Sequence, residues 1–181
     1  VVLDAPIQWV DHDSVWSPQN YSRRYYGPTT LRRALEKSRN VVTVRVVQDL
    51  GASAIVDYVS GFGFERPIGR NLSVGLGTSE TSLLEITSAY SVFANAGQKV
   101  DPVLITRIED ASGSLVAKLE PQRQRVMSEQ TAYLITSMLE GVVESGTGKV
   151  VRSINRPVAG KTGTTNDQRD AWFIGFTPEL A

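Results

Sequence analysis

Four consecutive residues near the carboxyl end, Lys161-Thr162-Gly163-Thr164, combine a cation, two hydroxyls and one position without a side chain. On a strand, such a run suits one kind of chemistry. A ligand can lie against the backbone at Gly163 while the Thr162 and Thr164 hydroxyls bond a carboxylate and the Lys161 ammonium supplies positive charge. The same residues would also suit an edge strand whose lysine guards against unwanted pairing. Two triplets, Ser38-Arg39-Asn40 and Ser153-Ile154-Asn155, each set a hydroxyl close to an amide. Their simplest roles are a cap at a helix junction for the first and a turn for the second.

The elements that must hold these groups follow from local pattern. Pro157 blocks a helix but can begin a strand, so Val158 to Thr165 reads as a strand whose antiparallel partner is the apolar run Ala171 to Phe176, with Asn166 to Asp170 turning between them. Leu31 to Lys37 reads as a short amphipathic helix with a threonine cap before it. Val41 to Leu50 is rich in β-branched residues, yet Asn40 can cap it and Gly51 can end it, and a second helix is predicted there. Ser38 to Asn40 then falls at a helix junction, free to point side chains into a cleft.

Ala52 to Ser60 reads as another helix, closed by Gly61. Gly75-Leu76-Gly77 lacks both the third glycine and the preceding strand of a nucleotide-binding fingerprint and is read as a turn. Ser82 to Glu85 forms a capping box for a helix running through Ala96 and terminated by Gly97, with Ile86, Ala89, Tyr90 and Phe93 on its core face. Val103 to Glu109 and Ser114 to Leu119 are predicted to form a hairpin around Asp110 to Gly113. Ser128 opens a helix to about Glu144 with Ala132, Ile135, Leu139 and Val143 facing inward, and Ser145 to Gly148 follows as a flexible loop. Residues 1–28 show no sustained period and read as an irregular, partly buried wrapping segment.

Composition narrows the chemistry. The 181 residues, 41% hydrophobic, suffice for one domain with a core. Basic and acidic residues balance at 19 each, so no overall field draws the chain to nucleic acid. There is no cysteine, which excludes disulfides, thiolate metal sites and thiol nucleophiles. The one histidine, His12, lies between Asp11 and Asp13 in a turn-like stretch and reads as a surface residue. No metal and no organic cofactor is suggested. No run reaches the length of a membrane span, and the first residues lack the basic start of a signal peptide.

Taken in order, the motifs resemble the penicillin-recognising serine transpeptidases, whose trio is Ser-x-x-Lys, a Ser-Asp-Asn type triplet and Lys-Thr-Gly. Trp16-Ser17-Pro18-Gln19-Asn20-Tyr21, Gly27-Pro28-Thr29-Thr30-Leu31-Arg32, Leu76-Gly77-x-x-Glu80-Thr81, Ala89-Tyr90-x-x-Phe93-Ala94-Asn95-x-Gly97, Gly146-Thr147-Gly148 and Asp170-Ala171-Trp172-Phe173-x-Gly175 are similar to the class A penicillin-binding proteins. The resemblance implies a mixed α/β fold of the α+β type, part of a transpeptidase and serine β-lactamase-like domain in which an antiparallel hairpin packs with helices. It implies acyl transfer from D-Ala-D-Ala stem peptides of peptidoglycan, with β-lactams as inhibitors. In that scheme Ser38 relays a proton toward the leaving nitrogen, Asn40 holds the substrate amide and the lysine of the first motif, and Lys161 hydrogen-bonds Ser38 and lends positive charge near the substrate carboxylate. Thr162 and Thr164 bind the carboxylate, and Gly163 lets the strand approach.

The first motif of the trio is not found, because no serine here has lysine three positions later. The resemblance therefore implies a chain cut from a longer parent at both ends, covering residues 1–181 of a partial domain and inactive without its nucleophile. That parent would carry a glycosyltransferase domain and a membrane anchor and work at the periplasmic face of the inner membrane. The piece itself would associate with the missing segments or another copy. The alternative is a nonacylating structural or ligand-binding module of the same fold.

Overall fold

A computed structural model describes residues 1–11, 14–164 and 171–181. The chain begins with four three-residue strands, β1 (Val2–Asp4), β2 (Trp9–Asp11), β3 (Ser14–Trp16) and β4 (Gly27–Thr29). β1 pairs antiparallel with β4 and β2 with β3. The expectation of an irregular segment over residues 1–28 is corrected here. Three residues are too few to display a two-residue alternation, so the pattern that betrays longer strands never develops. His12, expected at the surface, lies outside the described residues, as do Thr165 and the predicted turn from Asn166 to Asp170.

Helix α1 (Leu31–Glu36) opens at Thr30, whose hydroxyl accepts the Arg33 N–H at 3.2 Å, as the threonine cap predicted. Helix α2 (Asn40–Leu50) forms despite its β-branched residues. Val41, Val42, Val44 and Val47 are all buried. Each buried valine contributes about 2 kcal/mol, which outweighs a helix-propensity cost of roughly 0.5 kcal/mol. Asn40 does not cap this helix, contrary to expectation. It is the first helical residue, Arg39 holds the cap position without a side-chain bond, and the Val41 N–H is taken by the Asn20 side-chain oxygen at 3.3 Å. Gly51 ends the helix at φ 85° and α3 (Ala52–Ser60) follows, closed by Gly61.

Leu72 to Leu76 forms a 3-10 turn stopped by Gly77 in the left-handed region. Helix α4 (Leu83–Ala94) carries the predicted capping box, with Ser82 and Glu85 bonding each other's backbone N–H. The Glu65 N–H, with help from Ser82, holds the Glu85 carboxyl down to about 2. The helix stops two residues earlier than predicted, at Ala94. Gly97, at φ 88°, then passes so close to Met127 that an added Cβ would lie 2.3 Å from the Met127 carbonyl oxygen.

β5 (Gln98–Val100), β6 (Arg107–Glu109), β7 (Leu115–Lys118) and β8 (Arg123–Arg125) complete the middle of the chain. β6 and β7 form the predicted hairpin, shortened to its turn-proximal end, where the Asp110 carboxylate accepts three donors from Ser112 and Ser114. The pairing of β5 with β8 was not legible, because Gln98-Lys99-Val100 and Arg123-Gln124-Arg125 carry no apolar alternation.

Helix α5 (Glu129–Glu144) is the central support. Ser128 caps it, and it lies against α1, α4 and the last hairpin, β9 (Ala159–Thr164) with β10 (Ala171–Phe176). Leu139, Ala159 and Phe176 form a buried cluster with Leu35, Tyr90, Phe93 and Ile135 packed around it, so α1, α4, α5 and the hairpin share one core. The helices and antiparallel strand pairs make the mixed α/β architecture expected from the sequence.

Candidate active site

Ser38 and Lys161 lie 123 positions apart in sequence, and the fold brings them into contact. The Lys161 ammonium donates to the Ser38 hydroxyl oxygen at 2.9 Å and to the Thr162 carbonyl at 2.9 Å. Burial lowers the Lys161 pKa from the ordinary lysine range, because the charged form loses hydration there. A protonated ammonium can only donate, so Ser38 is the acceptor in this contact and its own O–H is left to point elsewhere.

Backbone geometry explains how a serine comes to stand there. α1 ends in a Schellman turn: the Ser38 N–H bonds the Leu35 carbonyl at 3.2 Å and the Arg39 N–H bonds the Ala34 carbonyl at 2.8 Å. Ser38 occupies the left-handed position of that turn, at φ 52°, where glycine is the usual resident. The side chain is therefore carried at a backbone cost, and it sits opposite the half-buried Lys161. The Arg39 guanidinium stacks 3.2 Å from the centre of the Tyr26 ring.

Asn40 follows at the start of α2. Its side-chain amide donates to the Gln19 carbonyl at 2.9 Å. Asn20, beside Gln19, is buried, donates to both Asp4 carboxylate oxygens at 2.8 and 3.0 Å and accepts the Val41 N–H. The Gln19-Asn20 pair thus fixes the start of α2 and the position of Asn40. Sequence reasoning singled out this stretch as a landmark without seeing that role.

On β9 the residues divide by exposure. Lys161 is half-buried behind the strand, and Gly163 and Thr164 are exposed. An added Cβ at Gly163 would meet nothing nearer than Trp172 Cβ at 3.6 Å, whereas at Gly160 it would lie 2.4 Å from the Phe173 ring. Packing therefore dictates glycine at Gly160 and leaves open space at Gly163. Thr162 is met by Thr147, their hydroxyls 2.6 Å apart. Thr147 was not among the predicted site residues, although the Gly146-Thr147-Gly148 landmark pointed to its loop. The second triplet forms the end of a 3-10 turn, with Asn155 left-handed at φ 54°, and takes no part.

The arrangement offers a serine hydroxyl bonded by a lysine ammonium, an amide two residues on, and a strand edge that carries hydroxyls. A cavity of about 280 Å³ between α3 and α4 contains none of these residues. Among the described residues, no group of His, Cys, Asp and Glu is placed to hold a metal ion.

The fold is that of the penicillin-binding transpeptidases. A structure of penicillin-binding protein 1A from Haemophilus influenzae superposes with a TM-score of 0.91 at 29% identity, covering 97% of this chain and 32% of that one. Penicillin-binding protein A from M. tuberculosis, solved as an imipenem acyl-enzyme complex, shares the fold with a TM-score of 0.80 at 24% identity, over 97% of this chain and 46% of that one. In sequence, penicillin-binding protein 1A of Pseudomonas aeruginosa is 36% identical over 99% of this chain and 28% of its own length. Residues 2–180 match the family described as penicillin binding protein transpeptidase domain, and the chain belongs to that family. The chain spans between 24% and 28% of the length of the curated penicillin-binding protein 1A relatives it matches.

Proposed function

We propose that this chain supplies the proton relay and the carboxylate site of a peptidoglycan D,D-transpeptidase whose nucleophilic serine is contributed by a Ser-x-x-Lys segment outside it. The observation that carries the reading is the Lys161 to Ser38 contact, which joins the family's second and third motifs in a single hydrogen bond. In the reaction, a serine oxygen attacks the carbonyl of the penultimate D-alanine while its proton passes to the lysine of the same Ser-x-x-Lys segment. The C–N bond to the terminal D-alanine breaks, and Ser38 delivers its proton to the departing nitrogen. Lys161, its pKa lowered by burial, replaces that proton. The Thr162 and Thr164 hydroxyls bind the terminal carboxylate, and the Thr164 N–H is one donor to the oxyanion. An amine from a neighbouring stem peptide then takes the acyl group from the serine, closing the cross-link.

The same site accounts for β-lactam binding, since a penicillin presents an amide carbonyl and a carboxylate in the same relation. The imipenem acyl-enzyme of the M. tuberculosis relative is an instance of that chemistry in this fold. Asn40, held by Gln19, would bind the substrate amide after turning its side chain. The work would take place outside the cytoplasmic membrane, where peptidoglycan lies. Among the described residues no helix is long and apolar enough to cross a membrane, so an anchor would belong to another part of the parent.

The test uses the longer polypeptide that carries a Ser-x-x-Lys segment ahead of Val1, with a fluorescent penicillin as the probe. Lys161→Ala and Ser38→Ala should each slow acylation by about 10²-fold or more, the usual worth of a positioned acid–base group. Acylation at the wild-type rate in both variants would remove the basis of the assignment.

A further inference from the structure

Building on the transpeptidase reading, we infer that Thr147 is a positioning residue for the ligand carboxylate, acting through Thr162. The two hydroxyl oxygens lie 2.6 Å apart, so one donates and the other accepts. If Thr162 donated to Thr147, its proton would be used and it could offer an anion only lone pairs. A bound carboxylate therefore selects the opposite sense: Thr147 donates to Thr162, and Thr162 donates to the carboxylate. Each bond in such a chain polarises the next.

The loop that carries Thr147 is built to hold it in place. Its N–H donates to the Glu36 carbonyl at 3.1 Å, and the Gly146 and Gly148 N–H groups both bond the Val142 carbonyl at the end of α5. Lys37 donates to the Ser145 carbonyl, and the Ser145 hydroxyl bonds the Gly141 carbonyl at 3.2 Å. Gly146 has no room for a side chain, since a Cβ there would fall 2.3 Å from the Glu36 carbonyl oxygen. Ser145 to Gly148 was expected as a flexible loop, and these bonds fasten it on both sides.

The contacts close a ring. Glu36 holds Thr147, Thr147 meets Thr162, Thr162 is followed back along β9 by Lys161, and Lys161 bonds Ser38, two residues beyond Glu36. The leaving nitrogen and the terminal carboxylate belong to the same D-alanine. The ring fixes the distance between the group that protonates the one and the group that binds the other.

The experiment compares two probes on the longer polypeptide with its Ser-x-x-Lys segment: benzylpenicillin, which has a free carboxylate, and its methyl ester, which does not. The quantity read is the ratio of their acylation rates. Thr147→Val keeps the side-chain shape and removes the hydroxyl, and it should lower that ratio about five- to tenfold, with the ester rate unchanged. Thr147→Ser restores the hydroxyl and should keep the ratio within about twofold of wild type. Equal slowing of both probes by Thr147→Val, or an unmoved ratio, would overturn the assignment while leaving the transpeptidase reading intact. A wild-type polypeptide that neither probe acylates would sink both.

Discussion

Ser38 shows what a single position gives up for a task. It sits at the left-handed end of the Schellman turn, φ 52°, where a Cβ costs about 1 kcal/mol or more. Glycine and alanine both lack the hydroxyl, so comparing them isolates the backbone term. Ser38→Gly should exceed Ser38→Ala in stability by about 1 kcal/mol in thermal or denaturant unfolding, while neither relays a proton. Equal stabilities would mean that the turn relaxes in one of the variants and that the strain is not real. The sequence offered the Ser-x-Asn pattern but not this conformation, because αL residues at helix ends are announced by glycine and here the signal is absent. Asn40 misled for a related reason. An asparagine before an apolar run is a good cap by type, yet Asn20, a distant residue, occupies that role and leaves Asn40 inside the helix.

At the scale of elements, the β9–β10 hairpin carries two glycines with opposite reasons for being there. Gly160 pairs with Gly175 beneath the Phe173 ring, and Gly163 pairs with Trp172 at an open face. Gly160→Ala should destabilise the fold by about 1–3 kcal/mol, the usual consequence of forcing a methyl into a filled space. Gly163→Ala should change stability by no more than about 0.5 kcal/mol and yet slow penicillin acylation about tenfold, since the methyl takes the place of the ligand. Unfolding curves and acylation rates measured on the same pair of variants decide it. A loss of stability at Gly163 matching that at Gly160 would show that packing, rather than a ligand, keeps it small. The hairpin, α2 and the capping box were legible because strong local signals agreed with tertiary demand: Pro157 ahead of an apolar strand, valines enough to fill a core, and Ser82 with Glu85. β5, β8 and the four short strands at the start were not, since they are fixed by pairing partners and not by their own side-chain pattern.

For the molecule as a whole, the site is distributed. Its parts come from a helix junction near the first quarter of the chain, a loop after α5 and a strand near the end, and α5 is the element that α1 and β9 both lie against. Sequence could supply the inventory, because lysine, threonine and serine triplets are visible by type. The contact of Lys161 with Ser38 was expected from the family resemblance and not from local pattern, and the Thr147 hydroxyl was not foreseen, since both depend on how α5 sets the loop and the strand against α1. The central claim is that this chain furnishes the relay and the carboxylate site but not the nucleophile. It is tested most directly by incubating this polypeptide with a penicillin, beside the version extended to include a Ser-x-x-Lys segment, and reading intact masses. The account predicts that the extended chain alone gains the mass of the drug. Acylation of the 181-residue chain itself would contradict it, by showing that one of its own serines is the nucleophile.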